Sequence, residues 1–159
     1  VNKVTKELFS KYDIYSLSKA SEEDILKIAS PCGMKIKARH TIEIAKRLVE
    51  CYDGKVPNDR AFLESLPGVG HKTANVTLSE LFDEPALAVD THVSRVAKRL
   101  GIASEFDDVL TVEEKLVAFF NGVNFRKLHL ELLMFGRNVC KSKNPNCDFC
   151  PFKEYCKNK

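Results

Sequence analysis

The chain is predicted to be all-α, and three observations predict it. Apolar residues recur at three- and four-residue spacing through nearly every segment. No stretch keeps the apolar–polar alternation of a half-buried strand over a useful length. Glycine and proline punctuate the sequence at short intervals, so the helices must be many and short, joined by short turns. The length of 159 residues suits one compact body or two small lobes. Pro85 interrupts the pattern within 83–88, which sets the expected domains at 1–84 and 85–159.

The elements follow in order. Val4, Leu8 and Phe9 open an amphipathic segment. Ser21-Glu22-Glu23-Asp24 resembles a capping box ahead of Ile25, Leu26 and Ile28, and Pro31-Cys32-Gly33 stops that helix. A long helix is expected over 36–52, with Ile42, Ile44, Ala45, Leu48 and Val49 on one broad face, ended by Gly54 and Pro57. Asn58 can cap a short helix carrying Ala61, Phe62 and Leu63. After a tight turn at 66–70 the helical period resumes over 71–82. Ala86-Leu87-Ala88-Val89 is a short apolar stretch, and Asp90 can cap a helix over 91–100 that Gly101 ends. Two more helices are expected over 111–120 and 125–138, followed by a cysteine-rich tail.

Composition is that of an ordinary globular protein, 44% hydrophobic and 30% charged. No apolar run approaches bilayer length and no secretory pattern opens the chain, so the expectation is an intracellular protein with no membrane partner. The first residue is Val1 rather than methionine, and the expected reading is that the sequence begins inside a longer protein. The net charge of +3 says little, but its distribution says more. From 121 to 159 eight Lys and Arg stand against three acids, a basic end that fits either a polyanion partner or a solvated tail.

Leu66-Pro67-Gly68-Val69-Gly70, with helix on both sides and the whole string LPGVGHKTANV, has the form of a helix-hairpin-helix element. Glycines leave the backbone uncovered, and the helix start that follows offers unpaired N–H groups to a phosphate. Gly68, Val69, Gly70 and His71 are therefore the expected contacts to a DNA backbone. The plainer alternative is an interhelical turn with no ligand. Lys72 follows in the first turn of the helix, where the positive helix end disfavours a second positive charge. That placement, with burial, makes a neutral nucleophilic amine easier to reach. A lysine here is otherwise a point charge for phosphate, or idle. Asp90 has a structural role as helix cap, and a fixed carboxylate can also stabilise positive charge developing at a sugar carbon or help move a proton.

Cys140, Cys147, Cys150 and Cys156 are spaced C-x6-C-x2-C-x5-C in a short basic tail. In a reducing compartment four thiolates point to a metal centre before disulfides, and the spacing by itself admits either a zinc ion held by four cysteines or an iron–sulfur cluster. The loop between the first two cysteines offers Lys141 and Lys143 to phosphate. Cys32 and Cys51 stand alone and are expected to be small buried hydrophobes.

LPGVGHKTANV, then AVDTHVSRVAKRLG, then the four-cysteine spacing together resemble the endonuclease III family of DNA glycosylases, over essentially the whole chain. The resemblance implies two helical lobes with a DNA groove between them, one lobe carrying the hairpin and the other ending in a 4Fe–4S loop at 140–156. It implies a partner, double-stranded DNA with damaged bases or abasic sites, bound by a monomer in the cytoplasm or nucleoid. By it Lys72 matches the catalytic lysine, which attacks C1′, displaces the base and forms a Schiff base, and β-elimination then cuts the strand 3′ to the lesion. Asp90 matches the essential aspartate, and Cys140, Cys147, Cys150 and Cys156 match the cluster ligands. Met34 stands where the family places an apolar wedge beside the orphaned base, with a core methionine as the alternative. A lysine at 72 separates the chain from mismatch glycosylases that lack it and favours a substrate class of oxidised pyrimidines. The rival functions are a DNA-binding hairpin module without catalysis and a four-cysteine zinc protein. Departures are His71, where the family often has arginine, and a family N-terminal segment that has no counterpart here.

Overall fold

Short polar side chains start most of the helices, because the first N–H groups of a helix need acceptors that the helix itself does not supply. The structure, a computed structural model, describes residues 2–30 and 35–157. Within them the chain is all-helical, as predicted, with no strand. The helices are α1 (Asn2–Lys11), α2 (Ile14–Ser18), α3 (Glu22–Ala29), α4 (Lys35–Tyr52), α5 (Arg60–Ser65), α6 (His71–Phe82), α7 (Thr91–Arg99), α8 (Val109–Phe119) and α9 (Phe125–Asn138), with a 3-10 turn at Cys147–Phe149. No helix among the described residues is long and apolar enough to cross a membrane.

Several caps differ from those read in the sequence. The reciprocal box expected at Ser21 forms only in half: Ser21 Oγ accepts from Asp24 N–H at 3.2 Å, while its hydroxyl donates to the Asp24 carboxylate at 2.7 Å. The full box lies one helix earlier, where Asp13 accepts from Ser16 N–H at 2.7 Å and Ser16 Oγ accepts from Asp13 N–H at 3.0 Å. That box creates α2, which has too few residues to show a period. Asp59, not Asn58, caps α5 by accepting from Phe62 N–H at 3.0 Å. Asp108 caps α8 through Thr111 N–H at 2.8 Å, so α8 begins before the expected 111. Ser16, by its hydroxyl and then its N–H, holds the Asp13 carboxyl below its ordinary value, and Thr111 does the same for Asp108 by its N–H and then its hydroxyl. A depressed carboxyl stabilises the fold above its unfolded value near about pH 4 and loses that contribution as pH falls through the folded value. Melting temperature is therefore expected to fall below about pH 4, and less steeply in an Asp13→Asn, Asp108→Asn variant whose caps do not titrate.

The chain divides into two compact units, Val1–Gly70 and His71–Lys159. In the first, α2 and α3 pack on α4, and Leu8, Leu17, Ile25, Ile28, Ala38, Ile42 and Ala45 form the core. In the second, α7 lies at the centre, against α8 and α9, over a core of Leu87, Val89, Val93, Val96, Ala97, Val112, Leu116, Leu128 and Leu132. Within the second unit α6 packs against α9. Cys51 is exposed, contrary to the buried role expected of it, since it lies off the packed face of α4. Cys32 and Met34 lie outside the described residues.

Two features of the second unit place its functional groups. Residues 86–89 run extended and buried, and His129 Nδ1–H donates to Ala88 O at 2.6 Å, which fixes the segment leading into α7. Gly136 lets α9 approach α7 closely: a Cβ there would stand 3.0 Å from His92 Cβ and 3.2 Å from His92 O. Gly136→Val is expected to lower stability by about 2 kcal/mol in denaturant titration, through overpacking against backbone that cannot retreat.

Candidate active site and thiol cage

The turn at 66–70 closes the first unit. Gly68 has φ +75, a conformation that side chains disfavour, and a Cβ there would stand 2.5 Å from His40 Nδ1. Val69 N–H donates to Leu66 O at 3.1 Å, and a Cβ on Gly70 would meet nothing within 4 Å, so its backbone is open to approach. These are the conformations a bare phosphate-facing turn needs.

The second unit begins at α6. His71 Nε2 lies 3.0 and 3.2 Å from the Glu113 carboxylate oxygens of α8. Beside it the fully buried Asn75 donates to Leu87 O at 3.0 Å and to Glu113 Oε1 at 2.9 Å. The His71 ring is thus engaged inside the unit, and what it offers a phosphate is the N–H at the start of α6. Glu113 and Asn75 tie the first turn of α6, which carries Lys72, to α8 and to the segment before Asp90. Neither stands out in the sequence, where Glu113 reads as one acid of an exposed helix face.

Lys72 is exposed at the start of α6, not buried as the sequence reading expected. Asp90 is half-buried and caps α7: its Oδ1 accepts from His92 N–H at 2.8 Å and Val93 N–H at 2.9 Å. Both bonds go to one oxygen. Lys72 and Asp90, eighteen residues apart, line one open cavity of about 810 Å³ together with Thr91, Ser94, Arg95, Lys98, Arg99 and Glu105. An amine and an anchored carboxylate therefore face a common space, with several cations around it. That is the equipment for holding an anionic ligand and for adding an amine to an electrophilic carbon beside a carboxylate.

The four tail cysteines are free thiols, and all four line a second cavity of about 480 Å³ with Leu100, Phe135, Val139 and Pro145. Among the described residues no three His, Cys, Asp or Glu side chains converge on one point as ligands of a single metal ion. Two arginines of α7, not read in the sequence, hold the tail in place. Arg95 donates to Cys140 O at 3.0 Å and Gly136 O at 2.8 Å. Arg99 donates to Lys141 O at 2.7 Å and Ser142 O at 3.3 Å, and approaches Cys140 Sγ at 3.4 Å. Arg99 O in turn accepts from Lys157 N–H at 2.9 Å and from the Cys156 thiol at 3.5 Å. Their four-residue spacing puts both arginines on one helix face, a signal that the sequence does contain. Lys141 and Lys143 are exposed on the loop that Arg99 fixes. Phe152 packs edge-on against Phe135 at 5.4 Å, which gives the tail its apolar anchor.

Residues 1–121 match the HhH-GPD superfamily base excision DNA repair protein family. The chain is 43% identical over 158 residues to an endonuclease III of Rickettsia felis, an alignment covering 98% of this chain and 74% of the relative. It is 44% identical over 160 residues to an endonuclease III of Bacillus subtilis, covering 99% and 73%. Among solved structures it is similar to a trapped covalent endonuclease III–DNA intermediate, with TM-score 0.93 and 41% identity, covering 98% of this chain and 74% of that one.

Proposed function

We propose, since the chain belongs to the endonuclease III family of the HhH-GPD base excision DNA repair proteins, that it is a DNA glycosylase and abasic-site lyase in which Lys72 is the nucleophile and Asp90 its electrostatic partner. The observation that carries the assignment is the one cavity lined by both side chains. The substrate is double-stranded DNA whose damaged nucleotide has left the stack, because C1′ is out of reach inside a duplex. The Lys72 amine attacks C1′, and the C1′–N bond to the base breaks. Asp90, held by the two N–H bonds of its cap, stabilises the positive charge that develops at C1′. Loss of an amine proton and opening of the sugar ring at C1′–O4′, with O4′ taking up a proton, convert this adduct to a protonated Schiff base; that acidifies the C2′ proton, whose loss expels the 3′ phosphate and cuts the strand. Gly68, Val69, Gly70 and the N–H of His71 grip the backbone near the lesion, and Lys141 and Lys143 add phosphate contacts from the tail. The reading places the enzyme with DNA inside the cell, with oxidised pyrimidines as its substrates.

The residues around the second cavity fit a 4Fe–4S cluster. Four free thiols spread around a cavity suit the corners of a cluster better than one ion, which draws its ligands into a small tetrahedron. Cys140, Cys147, Cys150 and Cys156 would hold it, and its contribution is structural: it pins the loop that carries Lys141 and Lys143. Arg99 steadies Cys140 from α7 and closes the tail over it. Protein purified without air is expected to show broad visible charge-transfer absorbance, and colourless metal-loaded protein would favour zinc.

A panel of duplexes carrying different damaged bases tests the function. The expected result is strand cutting on the 3′ side of oxidised pyrimidines, leaving the unsaturated sugar of β-elimination. Tight binding of all duplexes with no base release or cutting would favour a non-catalytic binding module instead.

A further inference from the structure

The loop after α7 exposes an aromatic ring while spending many bonds to hold it still. Phe106 is 97% exposed, at the tip of the turn 104–107. The turn itself is braced on every side. Ser104 N–H donates to Asp107 Oδ2 at 2.7 Å, and Asp107 N–H donates to Ser104 O at 3.2 Å. Lys98 Nζ donates to Glu105 O at 3.0 Å and Asp107 O at 2.8 Å, and Lys115 pairs with Asp107 at 2.6 Å. These bonds fix the backbone that presents the phenylalanine.

Position and charge say what the ring meets. Phe106 lines a cavity of about 490 Å³ with Lys98, Arg99, Glu105, Lys115 and Lys157; Lys115 is paired with Asp107, and Lys98 and Arg99 donate to carbonyls, while Lys157 adds a further cation. Lys98, Arg99 and Glu105 also line the cavity that holds Lys72 and Asp90, so the two spaces share a wall. A fixed aromatic face set among cations, next to a site that takes a nucleotide, is the combination that holds unstacked bases and their phosphates.

We propose that the turn 104–107 is a nucleotide-stacking wall, on which Phe106 stacks against a base flanking the extruded nucleotide while Lys157 faces the adjoining phosphate. The inference rests on the DNA-lyase reading of the Lys72 cavity and adds a subsite to it. Lys98 is a positioning residue here: it holds the turn by its carbonyls. Phe106 contributes by contact area alone, which is why its near-complete exposure in the free protein is no burden to the fold.

The experiment uses the full chain and duplexes with a stable abasic analogue, carrying 2-aminopurine at one flanking position at a time. Wild type is expected to quench the probe at one flanking position. Phe106→Ala is expected to lose that quenching and to bind about fivefold or more weaker, while Phe106→Trp keeps both. Circular dichroism of Phe106→Ala is expected to match wild type. Equal quenching and equal affinity for wild type and Phe106→Ala at every flanking position would overturn the proposal. So would self-association that Phe106→Ala abolishes while DNA binding stays unchanged. Borohydride trapping on natural abasic DNA separates the two levels. A wild type that is trapped but shows no Phe106 effect refutes the stacking wall alone, and one that is never trapped refutes the lyase reading beneath it.

Discussion

Lys72→Ala is expected to eliminate covalent capture on abasic DNA by borohydride and to reduce strand cutting by about a thousandfold or more, with binding to the same duplex nearly unchanged. The argument is chemical. An imine needs a primary amine at the carbon, and the Lys72 side chain, exposed at the start of α6, lines the cavity proposed to receive that carbon. Lys98 lines the same cavity, but its ammonium is spent on the Glu105 and Asp107 carbonyls. Removing Lys72 therefore removes the covalent step and not merely its speed. On the proposed reading, binding is carried by the bare turn at Gly68 and Gly70 and by the cations lining the Lys72 cavity, which the substitution leaves in place. Because Lys72 is exposed, melting temperature is expected to stay within about 1–2 °C of wild type. Affinity, trapping and melting together distinguish a lost nucleophile from a damaged fold.

The second large effect separates the two duties of Asp90. As a cap, its Oδ1 accepts from His92 and Val93 N–H, and Asp90→Ala is expected to cost about 1 kcal/mol of stability by leaving those donors unpaired. Asparagine caps about as well as aspartate, so Asp90→Asn is expected to keep stability within a few tenths of a kcal/mol. It removes the negative charge, however, and base release is expected to fall by about a hundredfold or more in single-turnover assays. If Asp90→Asn retains wild-type excision while Asp90→Ala loses it along with stability, the carboxylate serves only the helix.

Much of this molecule was legible because its signals are local. Gly68 marks a turn by the positive φ that glycine tolerates, and Asp90 marks a helix start by what an unpaired N–H demands. The helical period over 36–52 and 125–138 reads directly as α4 and α9. What escaped depends on partners distant in sequence. Whether Lys72 and Asp90 face one cavity is decided by the buried run 86–89, whose place is fixed by His129 on α9. Glu113 reads as an ordinary surface acid until α8 brings it to His71 and Asn75. Arg95 and Arg99 lie in the same string that marks Asp90, but their acceptors are carbonyls of the tail, and a carbonyl has no sequence signature. Asp59 in place of Asn58 is a smaller case, in which two good caps adjoin and local geometry selects one.

The most direct measurement is the site of the covalent bond. Wild-type protein trapped on an abasic duplex, digested and sequenced by mass spectrometry, is expected to carry the reduced sugar adduct on Lys72, with the yield suppressed in Asp90→Asn. An adduct found instead on another residue, with Lys72 unmodified, would contradict the account.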